Sequence, residues 1–107
     1  MDKLLIKQLI QKTALGRVKW ERRTNDVGQM YYYNRKMGVS VSPWTIRVGN
    51  SVVYTINTEK DMLVELLCET IVDAIKIQEV VGGNIGADYC DDTVQLLAKT
   101  LKALEVL

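Results

Sequence analysis

The chain has 107 residues, of which 48% are hydrophobic and 25% are charged, and its net charge is +1 at pH 7. This balance is typical of one globular domain and excludes a disordered or fibrous chain. No run approaches the ~20 apolar residues of a membrane-spanning helix, and the first residues lack the apolar stretch of a signal peptide, so we expect a cytoplasmic protein with one domain over residues 1–107.

The first segment, residues 1–16, is predicted to form a helix. Its apolar residues recur at helical spacing, and lysines occupy the rest of the helical wheel. Asp2 is a suitable N-cap, and Gly16 stands where a glycine would end the helix.

The middle segment, residues 17–57, changes to the two-residue period of β-strands. Val18 and Trp20 alternate with charged residues in a strand that is predicted to begin at Arg17, and a second strand carries the tyrosine triplet at 31–33. Residues 39–41 are interpreted as a short extension of the sheet.

The clearest local signal is a β-hairpin near the end of this segment. Residues 44–48 and 52–56 alternate between apolar and polar side chains on either side of a Gly-Asn turn. Residues 17–57 therefore predict an antiparallel sheet of three or four strands.

The last segment, residues 58–107, predicts two helices. Thr58 is the expected N-cap of the first helix, which runs to about Val80 and ends at the glycine-rich stretch 82–86. The second helix is predicted to begin near 88–92 and to bury Val94, Leu97, Ala98, Leu101 and Leu104.

The element order α-β-β-β(β)-α-α predicts an α+β fold with helices packed on one face of the antiparallel sheet. The other face is then left to solvent or to a partner. The apolar residues of the strands are expected to face the helices, and they are Val18, Trp20, Trp44, Ile46, Val48, Val52, Tyr54 and Ile56. The opposite face then presents a set of basic and aromatic side chains. These candidate binding residues are Arg17, Lys19, Arg23, Tyr31, Tyr33 and Arg47, accompanied by Thr45 and Thr55, with Tyr32 as the alternative to the Tyr31 and Tyr33 pair.

The charges are distributed unevenly along the chain. Residues 1–50 carry ten Lys or Arg against three acids, whereas residues 51–107 carry four Lys against ten acids. Six of the seven aromatic residues lie within residues 20–54. A basic, aromatic sheet face fits three interpretations: a solvated surface, a protein-binding surface, or a platform for single-stranded nucleic acid.

Among partners, this pattern favours another protein over a nucleic acid, because the acidic half of the chain would repel phosphate. A basic half and an acidic half on one chain also make a homodimer conceivable. The expected function is a non-enzymatic interaction module, and a single-stranded nucleic-acid-binding protein is the alternative.

No set of catalytic residues is recognisable in the sequence. The chain has no His, which excludes His-based triads and His metal ligands. Cys68 and Cys90 have no metal-binding spacing and are predicted to be two reduced thiols rather than a disulfide, with no lowered pKa at Cys68. We therefore expect no enzymatic activity, no cofactor and no metal site.

Two sequence patterns resemble a loose group of small bacterial and phage or mobile-element proteins. The first is Gly16-Arg17-Val18-Lys19-Trp20 followed by the tyrosine triplet; the second is the hairpin Trp44–Val48 and Val52–Ile56. The resemblance covers about residues 3–75 and carries no catalytic residue. It implies a small accessory or regulatory protein, such as an inhibitor or adaptor, that acts by contact.

Overall fold

The computed structural model describes residues 2–81 and 91–107. The elements in chain order are α1 (Lys3–Ala14), β1 (Glu21–Thr24), β2 (Met30–Asn34), β3 (Val39–Val41), β4 (Thr45–Val48), β5 (Ser51–Thr55), α2 (Met62–Val81) and α3 (Asp91–Glu105). The predicted α+β class is confirmed. The predicted glycine-rich helix stop at 82–86 and Cys90 lie outside the described residues.

The sheet has five strands, so the predicted count of three or four is wrong. The strands lie in the order β1-β2-β3-β4-β5, and each pairs antiparallel with the next along the chain. The count differs because residues 39–41, predicted to be a short extension, form a full strand of the sheet, β3. It pairs with β2 on one side and β4 on the other, which makes it the central strand.

The pairing register assigns each residue to one of two sheet faces. Tyr32, Val41, Ile46 and Tyr54 are paired in succession across four strands, and all four are buried. We call the opposite surface the outer face. Its strand residues are Glu21, Arg23, Tyr31, Tyr33, Ser40, Thr45, Arg47, Val52 and Thr55.

The buried face packs against α1 and α2. Buried apolar side chains of both helices join those of the strands in one hydrophobic cluster. The cluster members from the helices are Ile6, Leu9, Ile10, Leu63, Val64, Leu67, Ile71 and Ile75. In the described residues, the helices thus lie on one side of the sheet, as predicted, and α3 contacts both α1 and α2.

Both predicted ends of α1 are confirmed. The Leu5 N–H donates to Asp2 Oδ1 over 3.0 Å at the start of the helix. At the end, the N–H groups of Gly16 and Arg17 donate to the carbonyls of Thr13 and Lys12. Gly16 adopts φ +75, a left-handed conformation that side chains disfavour.

The first strand begins at Glu21 and not at Arg17 as predicted. Glu21 pairs with Tyr33, and β2 ends one residue later at Asn34, so residues before Glu21 have no ladder partner. The Asn34 side-chain amide instead donates to the Lys19 carbonyl over 2.8 Å. Val18 and Trp20 are still buried, as predicted, and the Trp20 indole N–H donates to Thr13 Oγ1.

The N-cap of α2 is Asp61, so the prediction of Thr58 is wrong. The helix begins at Met62, and the Leu63 N–H donates to Asp61 Oδ1 over 2.8 Å. The Asp61 N–H also donates to the hydroxyl of Tyr54. This contact joins the start of α2 to β5, and the helix begins three residues later than predicted.

The buried stripe of α3 differs from the prediction. Of the five residues predicted to be buried, Leu104 packs against the core and Leu97 is half-buried. Ala98 is exposed, Val94 is 58% exposed and Leu101 is 42% exposed, while Leu96 and Thr100 are buried instead. In the described part of the chain, no helix is both long and apolar enough to cross a membrane.

Candidate functional site

Four of the six candidate binding residues share the outer face of the sheet. Arg23 on β1 is paired with Tyr31 on β2, Tyr33 lies on the same strand as Tyr31, and Arg47 lies on β4. The other two candidates, Arg17 and Lys19, precede the first strand and are solvent-exposed. They lie outside the sheet because β1 starts later than predicted.

The sequence left open whether Tyr32 or the pair Tyr31 and Tyr33 lies on the outer face, and the structure distinguishes these two alternatives. Tyr32 lies on the buried face with 7% exposure, and burial raises the pKa of its hydroxyl. Tyr31 and Tyr33 are half-buried on the outer face. The pair, and not Tyr32, therefore belongs to the candidate site.

Two residues predicted to face the helices are instead exposed near or on the outer face. Val52 is 51% exposed and paired with Arg47. The register shifts at this point, because Ile46 pairs with Tyr54 and Val53 is left as an extra residue. Such a β-bulge reverses the alternation of the strand on one side of it, which places Val52 on the outer face.

The second of these residues, Trp44, is not in a strand. The Ser42 N–H donates to the Thr45 carbonyl over 2.9 Å, so Pro43 and Trp44 form the two-residue loop between β3 and β4. From that loop Trp44, which is 38% exposed, lies beside the outer face.

One carboxylate, that of Glu21, contacts two arginines at the β1 end of the outer face. Arg23 Nη2 lies 3.1 Å from a Glu21 carboxylate oxygen, and Arg35 Nη2 lies 3.7 Å from the other oxygen. The Arg23 guanidinium also stacks 4.1 Å from the centre of the Tyr33 ring. These exposed pairs add little stability, but they hold Arg23 over Tyr33 and neutralise part of its charge.

A depression of about 320 Å³ lies on the outer face over β2, β3 and β4, towards the end of the sheet that carries the β1–β2 and β3–β4 loops. We call it the trough. It is lined by Asn25, Met30, Tyr31, Ser40, Val41, Ser42, Trp44, Thr45 and Arg47. It exists because β3 and the residue after it present small serines between the large side chains of the neighbouring strands.

Most polar groups of the trough are already hydrogen-bonded to the protein. Ser42 Oγ donates to the Thr45 carbonyl and accepts from the Thr45 N–H, and Thr45 Oγ1 donates to the Tyr54 carbonyl. The Ser40 hydroxyl and the Arg47 guanidinium differ. Within the described residues, neither makes a hydrogen bond or an ion pair.

The sequence did not indicate Ser40, Ser42, Trp44 or Met30 as site residues. The interpretation of residues 39–41 as a short extension assigns Ser40 to neither face, and the alternation of residues 44–48 predicts that Trp44 faces the core. A Ser-x-Ser pattern in the middle strand, next to a tyrosine-rich strand, is the signal that could have indicated a trough.

No group of three or more potential metal ligands lies together among residues 2–81 and 91–107. The thiol of Cys68 is free, and burial, with Glu65 and Glu69 nearby, raises its pKa to about 11. It therefore remains protonated at neutral pH, in agreement with the prediction that its pKa is not lowered. The absence of a bond between Cys68 and Cys90 stays a prediction.

Comparison of the chain with family models, curated proteins and solved structures finds no match. The resemblance to small bacterial and phage proteins therefore stays a prediction. The function of the outer face has to be inferred from its geometry.

Proposed function

We propose that this chain is a non-enzymatic protein-interaction module, an adaptor or inhibitor that binds its partner through the outer face of the sheet. The observation that supports this proposal is the trough, a concave site with aromatic and arginine side chains. In the described part of the chain, no helix packs over it.

The composition of the trough is that of a protein-binding hot spot. Tyr, Trp, Met and Arg are enriched in the centres of protein interfaces, and anchor residues of a partner are buried in pockets between them. Tyr31, Trp44 and Arg47 line the trough, and Trp44 is exposed to an extent unusual for a core residue.

The same face is poorly suited to single-stranded nucleic acid. Such binders need a row of cations along the phosphates and open rings on which bases stack. Here Arg23 is paired with Glu21 and covers the ring of Tyr33, so on the outer face of the strands Arg47 is the cation outside an ion pair and Tyr31 is the ring that no arginine covers. A protein partner fits this arrangement better.

A selection of displayed random peptides on the purified chain tests the proposal. Ser40→Leu fills the trough with a side chain where Ser40 has no hydrogen bond to lose. Thr55→Leu places the same side chain on the outer face but outside the trough. We expect selected peptides to lose roughly tenfold or more in affinity for Ser40→Leu, as at a blocked hot spot, and to bind Thr55→Leu like the unmodified chain.

Circular dichroism of both variants shows whether they are folded, and fluorescence anisotropy measures the affinities. Peptides that bind both variants equally would show that the trough is not the binding site. Tighter binding of a labelled oligothymidine, abolished by Ser40→Leu, would replace the proposal with the nucleic-acid interpretation.

A further inference from the structure

We infer that the trough receives an acidic side chain, Asp or Glu, from an acidic segment of the partner protein, and that Arg47 and Ser40 bind its carboxylate. The inference rests on the proposed function and specifies its ligand chemistry. It starts from the unpaired cation in the middle of the sheet.

Arg47 is isolated from the carboxylates of its own face. Its cross-strand neighbours are Ser40 on β3 and Val52 on β5. Glu21 is the one acidic residue in the five strands, and it lies three strands from Arg47, about 14 Å at the usual strand spacing. Glu21 is also already engaged by Arg23 and Arg35.

The two uncommitted donors of the trough are direct neighbours. Ser40 and Arg47 are register partners on adjacent strands, and both side chains line the trough. A guanidinium matches the geometry of a carboxylate, because its parallel N–H groups can donate to both oxygens. The hydroxyl adds a further donor for one of those oxygens.

The apolar wall of the trough strengthens this pairing. Trp44 lines the depression and is 38% exposed in the free protein. A partner that covers Trp44 excludes water from Arg47, and an ion pair in a site of lower dielectric constant is stronger than one in water. The fitting ligand is therefore an acidic residue with an apolar residue beside it.

A side-chain carboxylate fits better than a chain of phosphates. A nucleic acid presents one negative charge per nucleotide, and its next phosphates would need further free cations on this face. The strands offer one free arginine, which matches a single carboxylate.

The test compares peptide selections on the unmodified chain and on Arg47→Gln. Arg35→Gln is the matched control, because it removes one positive charge from an exposed arginine outside the trough. We expect Asp and Glu to be enriched in peptides selected on the unmodified chain and on Arg35→Gln, and not in those selected on Arg47→Gln.

Selected acidic peptides are then synthesised with acetylated N-termini and amidated C-termini, so that side chains supply their only carboxylates. Replacing the acid by Gln or Asn should weaken binding to the unmodified chain about tenfold, the effect of losing a charged hydrogen-bonded pair. The same replacement should leave binding to Arg47→Gln unchanged, because the partner of the carboxylate is already absent.

The outcomes separate the inference from the proposed function. Peptides that are blocked by Ser40→Leu but show no acid preference and no loss on Arg47→Gln overturn the inference and leave the proposed function intact. Peptides that need a free C-terminal carboxylate also overturn it. If no selected peptide is sensitive to Ser40→Leu, both fail.

Discussion

At the scale of single residues, the thiol of Cys68 makes stability depend on alkaline pH. Its pKa is raised from 9.0 to about 11 by burial first and by Glu65 and Glu69 second, against a lowering by Lys60. The unfolded chain therefore releases this proton at lower pH than the folded chain does. The resulting stabilisation is complete below about pH 9 and is lost as the pH rises towards 11.

The prediction is checked with Cys90→Ser, which leaves Cys68 as the one thiol. We expect its free energy of unfolding in urea to fall between about pH 9 and 11, and native alkylation by iodoacetamide to accelerate over the same range. In the Cys68→Ala/Cys90→Ser variant the part of the fall due to the thiol should disappear. Equal pH profiles for the two variants would contradict the raised pKa.

At the scale of elements, the start of α2 supplies a direct comparison of two capping residues. Asp61 accepts from the Leu63 N–H, while Thr58 is exposed and four residues before the helix. We expect Asp61→Ala to lower the free energy of unfolding by about 1 kcal/mol, the usual effect of losing an N-cap. Thr58→Ala should change it by less than about 0.5 kcal/mol, as for other surface substitutions. Urea denaturation followed by circular dichroism measures both, and the reverse order would restore Thr58 as the cap.

The elements show which parts of the fold the sequence could predict. Features that depend only on neighbouring residues were predicted correctly: the Asp2 cap, the Gly16 stop and the Gly-Asn hairpin turn. The predictions failed where the start of an element depends on residues far away in the chain. The start of β1 is set by the end of β2, and the start of α2 is influenced by the hydroxyl of Tyr54.

The face on which each residue of the candidate site lies could be predicted where side chains alternate regularly between the two faces of a strand. Arg23, Tyr31, Tyr33 and Arg47 are on the outer face because each lies in a strand whose alternation is uninterrupted up to that residue. Val52 was misplaced by a bulge, which depends on the pairing partner and leaves no mark in a single strand. The trough was missed because its shape arises from three strands together.

At the scale of the whole molecule, the basic and acidic halves of the sequence correspond only in part to the sheet layer and the helix layer of the fold. The sheet segment 17–57 carries seven basic residues against two acids. The helix layer contains the acids of α2, but α1 packs on α2 and adds three lysines. The helix layer is therefore mixed in charge, and the basic sheet layer is the more uniform surface.

This arrangement determines how copies of the chain could associate through opposite charges. The outer face lies on one side of the sheet, whereas Glu65 and Glu69 are exposed on α2, which packs on the other side. A contact between these two surfaces is head-to-tail, so it does not close into a dimer but continues from copy to copy. The predicted homodimer would need a different, self-complementary interface.

We therefore expect association driven by charge to be weak and open-ended. In sedimentation velocity at about 0.15 M salt, where the Debye length is about 8 Å, the mass should remain that of the 12.1 kDa monomer. At about 10 mM salt, where the Debye length is about 30 Å, it should rise with protein concentration without a plateau at two copies. Glu65→Gln/Glu69→Gln should suppress that rise, since it removes the charges that would face the arginines of a neighbouring copy. A discrete dimer that persists at the higher salt concentration and in this double variant would contradict this expectation. It would show that copies pair through an apolar surface instead. The exposed Val94 and Leu101 on α3 would then be the first residues to substitute.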